Sequence, residues 1–337
     1  MTKTKTKVPA TAEPVSVAGS RLYLGDALGH YEAWPTPKTI ISDGPYGLRS
    51  FPGDPAEVSG LVPFYQPHVE AWGRKAHAST TLWFWCSELG WATVHPLLEA
   101  HGWQYVRACV WDKGAAHIAG NANTQRLRQL PTVTELCVQY VRKVMLPRTG
   151  GEHLPMKQWL RAEWKRSGLP LSLTNEAAGV KNAATRKWFT ECHLWYAPSG
   201  EFLARLAEYA NEHGDPDGRP YFSIGRKRSV SAAEWDALRP TFHCPADVHN
   251  VWHQGAVRGP DRIKLNGKTA HVNQKPLELV RKTIAWTTDA GDCVWEPFAG
   301  TATGLVASIL DERRGYGAEI NPAFFDVAAD RVRAAAS

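Results

Sequence analysis

An acid, a tight turn and an aromatic ring fall within four positions at Asp43-Gly44-Pro45-Tyr46. A carboxylate and a backbone carbonyl only accept hydrogen bonds, and a tyrosine ring offers a flat face, so the tetrad suits a planar substrate that carries an amino group. A second cluster, Glu296-Pro297-Phe298-Ala299-Gly300-Thr301-Ala302-Thr303-Gly304, lies near the other end of the chain. Gly300 lets a ligand approach the backbone, and the helix expected after it offers free N–H groups to a ligand carboxylate. Farther on, the run Arg314 to Glu319 ends in an acid placed to accept bonds from the two hydroxyls of a ribose. An isolated Asp-Gly-Pro sequence is most often an ordinary turn, so the weight rests on what surrounds it.

The elements that must position these residues alternate between strand and helix. Arg21 to Leu28 alternates as a strand does and is followed by a short helical stretch to about Trp34, and Thr39-Ile40-Ile41 delivers Asp43 at a strand's C-terminal end, where open α/β sheets bind ligands. Residues 48 to 60, rich in Gly and Pro, predict a long loop beside the tetrad. A helix from Leu61 to Lys75, an apolar strand from Thr80 to Cys86, a helix to about Ala100, and strands at Gln104 to Trp111 and Thr134 to Arg142 follow. A polar stretch from Gly114 to Pro131, with Asn121, Asn123, Arg126 and Arg128, separates the last two. Strand and helix in alternation predict a doubly wound sheet.

The texture changes past Gly150-Gly151. Met156 to Ser167 predicts an amphipathic helix, and residues 174–189 read as a helix-turn-helix-like segment whose second helix carries Asn182, Thr185, Arg186 and Lys187, with a plain helical hairpin as the alternative. Residues 199 to 214 predict a helix, and 214 to 270 read as irregular, with the basic cluster Arg226-Lys227-Arg228, which solvent alone also explains. Regular texture resumes at His271 to Pro276, with a helix from Leu277 to Thr287 and a strand from Cys293.

Apolar residues make up 43% and charged residues 21% of the 337, as in a globular protein, and no stretch is apolar for long enough to span a bilayer. A formal charge of +6 fits a polyanionic partner without requiring one. The six cysteines form no Cys-x-x-Cys pair, which indicates neither a zinc site nor a disulfide framework and points to a reducing cytoplasm. Residues 1–17 read as a flexible basic tail, and most of the fifteen tryptophans are expected in the core.

The sequence ends within one helix of Glu319, although a nucleoside-binding α/β half needs one strand more. The spare strand with a terminal acid is Arg21 to Asp26, so the sheet is expected to be closed by its own N-terminal strand. This order resembles the β class of DNA amino-methyltransferases. Asp43-Gly44-Pro45-Tyr46 resembles the family's Asp/Asn/Ser-Pro-Pro-aromatic tetrad, His271 to Pro276 its Gln-Lys-Pro segment, and Glu296 to Gly304 its Phe-x-Gly turn. Gly44 stands where the family has a proline, which keeps the carbonyl but removes a φ restraint and implies a looser turn.

The resemblance implies an α/β fold: a circularly permuted Rossmann-like methyltransferase sheet with an inserted, mainly helical target-recognition domain. Residues 18–149 would be the catalytic half, 150–270 the target-recognition domain and 271–337 the cofactor-binding half. It implies S-adenosylmethionine as cofactor, with Asp26, Lys275, Glu296, Pro297, Phe298, Gly300, Thr301 and Glu319 around it. Asp43, Gly44, Pro45 and Tyr46 would be catalytic, accepting the amino group of a flipped base, while Asn182, Thr185, Arg186, Lys187, Arg226, Lys227 and Arg228 would touch double-stranded DNA. No metal is implied. The expected activity is site-specific methylation of N4 of cytosine, favoured by a composition that suggests a G/C-rich genome, or of N6 of adenine, which Asp at the head of the tetrad favours by family habit. An RNA or protein-amide methyltransferase and a catalytically inactive DNA-binding regulator are the other readings. A cytoplasmic, nucleoid-associated monomer or dimer, acting alongside a cognate restriction endonuclease, completes the expectation.

Overall fold

The computed structural model describes residues 13–49, 53–117, 128–148, 151–225, 227–265, 267–269 and 273–337. Of the positions singled out above, the tail up to residue 12, Asn121, Asn123, Arg126, Arg226 and His271 lie outside the described residues. The chain divides into two compact units, one running to Arg142 and resuming at Pro240, the other spanning Lys143–Arg239. Among the described residues no helix is long and apolar enough to cross a membrane.

The first unit is built on a nine-stranded sheet of β1 (Val15–Val17), β2 (Ser20–Leu24), β3 (Thr39–Ser42), β4 (Thr81–Cys86), β5 (Trp103–Asp112), β6 (Thr134–Arg142), β7 (Val251–His253), β8 (Cys293–Glu296) and β9 (Arg314–Glu319). Their spatial order is β1-β2-β9-β8-β3-β4-β6-β5-β7. The five strands from β2 to β4 in that order run parallel, and β6 is antiparallel to both β4 and β5. β2 and β9 are in register with Glu319 opposite Leu24, so the first long strand of the chain lies beside the last. Every residue of β3 and β4 is buried, which is why Ile40-Ile41 and Leu82 to Cys86 read as unbroken apolar runs rather than alternating ones.

Among the described residues the α-helices, in chain order, are α1 (Leu61–Lys75), α2 (Glu88–Ala100), α3 (Met156–Arg166), α4 (Thr174–Ala178), α5 (Gly200–His213), α6 (Ala232–Ala237), α7 (Leu277–Thr287), α8 (Thr303–Leu310) and α9 (Pro322–Ala334). Their ends follow local chemistry. Ser87 caps α2 by accepting from Gly90 N at 3.1 Å, and Asn321 caps α9 by accepting from Ala323 N at 2.9 Å, with Pro322 in the first turn. Nine tryptophans, among them Trp34, Trp72, Trp83, Trp85 and Trp295, are fully buried, which removes them as surface stacking platforms.

Two strands of this sheet fall where none was expected. Val15–Val17, placed by sequence in the basic tail, pairs antiparallel with β2 because both valines pack on the cluster formed by Leu22, Leu305 and Val332. Val251–His253, in a stretch read as irregular, adds β7 to the edge of β5, anchored by the buried Trp252 against Trp83, Trp85 and Trp286.

The second unit has its own core of Trp159, Trp164, Trp188, Phe189, Leu203, Leu206 and Trp235. Within it, residues 174–189 form two short helical segments: α4 ends at Gly179 in the left-handed region (φ 68°), and a five-residue π-helical turn, Ala184–Trp188, follows. The Asn175 side chain reaches across, accepting from Thr185 N at 3.2 Å and donating to its hydroxyl at 2.8 Å, which ties the turn to α4.

Candidate active site

β3 ends at Ser42, and Asp43 to Tyr46 follow as irregular chain at the C-terminal end of the sheet, beside the turn that follows β8. Gly44 is close-packed: a Cβ there would come within 2.6 Å of the Tyr65 hydroxyl and 2.7 Å of the Phe298 ring, so neither alanine nor proline fits without displacing them. Tyr65 donates to the Pro45 carbonyl at 3.0 Å. Beyond the turn, the buried Asp54 carboxylate accepts from Tyr46 N (3.1 Å), Gly47 N (2.8 Å) and Leu48 N (3.2 Å).

Lys275, only 3% exposed, donates to Asp43 Oδ1 at 2.8 Å and lies 3.3 Å from Glu135 Oε2. Lys113 is the second cation on Glu135. The Tyr46 hydroxyl is within reach of the same two acids, 3.1 Å from Asp43 Oδ1 and 3.3 Å from Glu135 Oε2. Burial disfavours the Lys275 charge, yet Asp43 and Glu135 together outweigh it and hold the ammonium's pKa above the ordinary lysine value. Burial likewise pushes the Glu135 carboxyl up, and Lys275 and Lys113 bring it below the ordinary glutamate value. Burial first, then the neighbouring Asp43 and Glu135 charges, keep the Tyr46 phenol protonated. Both partners of Asp43 sit on Oδ1, so among the described residues Oδ2 and the Gly44 carbonyl remain as acceptors, and both residues line the cavity.

At the other end of this cavity, β8 delivers Glu296 and β9 delivers Glu319. Glu296 accepts from Gly304 N at 2.6 Å and Leu305 N at 2.9 Å, so two of the N–H groups in the first turn of α8, expected to receive a ligand carboxylate, are taken by the chain's own. Burial raises the Glu296 carboxyl to about 8, against the pull of those two N–H groups. Gly304 has no room for a side chain, since a Cβ would meet the Glu296 carboxyl at 2.8–3.1 Å. Gly304→Ala is therefore expected to cost about 1–3 kcal/mol of stability, read from denaturant unfolding midpoints. Glu319 accepts from Gly300 N (2.8 Å) through Oε2 and from Asn321 N (2.7 Å) through Oε1, and Ile320 N also bears on the carboxylate.

Asp26, Asp43, Gly44, Pro45, Tyr46, Lys275, Glu296, Pro297, Phe298, Gly300, Thr301 and Glu319 all line this one cavity of about 280 Å³, and Phe64, His68 and Trp85 complete its aromatic wall. Sequence reasoning missed Glu135, Lys113, Tyr65 and Asp54. Glu135 and Lys113 sit at facing ends of β5 and β6, and their pairing becomes visible only once the strand register is known. Asp54 carried no signal beyond its place in a Gly- and Pro-rich loop.

The residues expected at DNA lie in the second unit and are unequally available. Asn182 and Arg186 are exposed and Lys187 is half-buried, whereas Thr185 spends its hydroxyl on Thr174 (2.9 Å) and Asn175 (2.8 Å). Lys227 is exposed, and both terminal nitrogens of Arg228 are paired with Glu234 at 2.7 and 2.6 Å.

The family described as N6/N4 DNA methylase matches residues 38–330. Curated relatives include the type II methyltransferase M.XycI of Xanthomonas campestris pv. cyanopsidis, 37% identical over 102 residues that make up 30% of this chain and 31% of that protein. The type II methyltransferase M.HinfI of Haemophilus influenzae is 41% identical over 86 residues, 25% of this chain and 24% of that protein. The chain thus matches less than a third of the length of either. Among solved structures, PvuII DNA methyltransferase (cytosine-N4-specific) superposes with a TM-score of 0.54 at 11% identity, covering 95% of this chain and 88% of that one, a likeness of fold alone. On a match that takes in every residue lining the cavity from Ile41 to Phe324, the chain belongs to the N6/N4 DNA methylase family.

Proposed function

We propose that the chain is a site-specific DNA methyltransferase that moves a methyl group from S-adenosylmethionine to the exocyclic amino group of a base flipped out of the duplex, with N4 of cytosine as the target. The observation that carries this is that Asp43 and Gly44, whose Oδ2 and carbonyl are left as acceptors, line the same cavity as Glu319 and the Gly300 turn.

The residues present fit the cofactor. Glu319 is fixed at the cavity by backbone N–H groups, with its acceptor oxygens placed for the hydroxyls of a ribose, while Phe298 and Gly300 leave an apolar face and an approachable backbone next to it. Asp26, whose own carboxylate accepts from Leu28 N at 2.9 Å, lies beside Glu319 at the end of β2. S-adenosylmethionine supplies an electrophilic methyl on a sulfonium. Asp43 and the Gly44 carbonyl would accept the two N–H bonds of the base, fix its orientation and direct the nitrogen lone pair towards that methyl, with the Tyr46 ring as the stacking face. Lys275 holds Asp43 Oδ1 by a charge-assisted bond at 2.8 Å, so the acceptor is in position before a base arrives.

In this reading the sheet unit is the permuted catalytic domain, and the inserted region beyond β6 recognises the target, with Asn182, Arg186, Lys187 and Lys227 offering the accessible contacts to duplex DNA. Methylating duplex DNA with the chain, digesting it to nucleosides and identifying the product by mass spectrometry tests the proposal. N4-methylcytosine is expected; N6-methyladenine moves the target base, and no methylated nucleoside sinks the function.

A further inference from the structure

We infer that Asp54 is a positioning residue for methyl transfer, clamping the acceptor turn from outside and supplying the rigidity that a proline in place of Gly44 would have given. The inference rests on the methyltransferase reading above.

Gly44 has no ring to fix its φ, and none can be added, because the Tyr65 hydroxyl and the Phe298 ring occupy the space of a Cβ. A turn with that freedom holds one shape only if its neighbours hold it. On one side Tyr65 donates to the Pro45 carbonyl. On the other, the single carboxylate of Asp54 gathers three successive backbone N–H groups, those of Tyr46, Gly47 and Leu48. A buried carboxylate that satisfies three donors at once forms charge-assisted bonds, stronger than neutral ones, and fixes the backbone that bears the Tyr46 ring.

The rest of the loop is folded to deliver that carboxylate. Gly47 has φ 71°, and a Cβ on it would lie 2.8 Å from Val58 Cα and 3.0 Å from the Glu57 carbonyl, so the returning limb of the loop rests directly on the turn. Arg49 N closes the loop on the Pro55 carbonyl at 3.2 Å. Asp54 does not itself line the cavity, although its neighbour Gly53 does, so its influence on the reaction passes through the position of the turn. The two acceptors, Asp43 Oδ2 and the Gly44 carbonyl, must meet one amino group, and misplacement by about 1 Å costs on the order of 100-fold in rate.

The test uses the full chain with Asp54→Ala and Asp54→Asn. Single-turnover methyl transfer to duplex DNA is measured alongside calorimetric affinity for S-adenosylhomocysteine. Transfer is expected to fall about 100-fold in Asp54→Ala and about 10-fold in Asp54→Asn, whose amide oxygen still accepts part of the set, while S-adenosylhomocysteine affinity stays within about threefold. The loss should appear in kcat rather than in KM for DNA. Transfer by Asp54→Ala within about threefold of wild type overturns the inference, and so does cofactor affinity falling in proportion to transfer in both variants, which marks a general loss of structure. A wild-type chain that binds S-adenosylhomocysteine and transfers no methyl overturns the functional reading itself.

Discussion

Asp43→Ala is expected to lower methyl transfer to duplex DNA by about a thousandfold or more, with S-adenosylhomocysteine affinity within about threefold of wild type. The substitution removes Oδ2, one of the two acceptors left on residues that line the cavity, at the point where the base nitrogen gains positive character as it attacks the methyl. It leaves Glu319 and the Gly300 turn untouched, which is why cofactor affinity is the control. Asp43→Asn keeps an acceptor oxygen but gives up the ion pair with Lys275, and an intermediate rate is expected. Transfer of labelled methyl in a single turnover reads both variants, and an Asp43→Ala chain that still transfers at more than about a tenth of the wild-type rate sinks the mechanism.

The parts of this site legible in the sequence are those that strand ends carry. Thr39-Ile40-Ile41 and Cys293-Val294-Trp295 are apolar runs broken by Gly and Pro, and a parallel sheet brings such ends to one edge. That is why Asp43, Glu296 and Glu319, drawn from three separate stretches, line one cavity. Side chains that act through partners were not legible. Lys275 stood in a recognisable segment, but its position between Asp43 and Glu135 depends on β6 running antiparallel to β4, and Glu135 lay in a stretch with no motif. Glu296 lines the cavity as its stretch suggests, but that its carboxylate accepts from Gly304 and Leu305 is not legible, because a sequence does not tell whether a helix's first N–H groups are already satisfied. The implied looseness at Gly44 was a statement about backbone freedom alone; Tyr65, Phe298 and Asp54 restore the constraint from other parts of the chain. β7 escaped notice because three residues with a single buried tryptophan carry no periodicity.

Lys275→Met tests the charge arrangement rather than the acceptors. The wild-type site sets two acids, Asp43 and Glu135, against two lysines, and Lys275 is the cation they share. Methionine matches the length of the stem but leaves Glu135 with Lys113 and Asp43 with no cation among the described residues, and removing one partner of a buried pair costs about 3–5 kcal/mol. The chain can relieve that cost by taking up a proton, since burial and the proximity of two carboxylates both raise the affinity of the acidic pair for one. The variant's proton affinity then exceeds that of the unfolded chain, so its added stability is fully present at low pH and is lost as pH rises through the folded value. Transfer runs the opposite way, because a proton taken up by the acid pair weakens the acceptor. Between about pH 5 and pH 8 the Lys275→Met chain should therefore lose thermal stability and gain methyl-transfer rate as pH increases, each relative to wild type at the same pH. Parallel melting curves and single-turnover rates across that range check it. Rates and melting temperatures that keep a constant offset from wild type at every pH would mean that Lys275 serves the cofactor and not the acid pair.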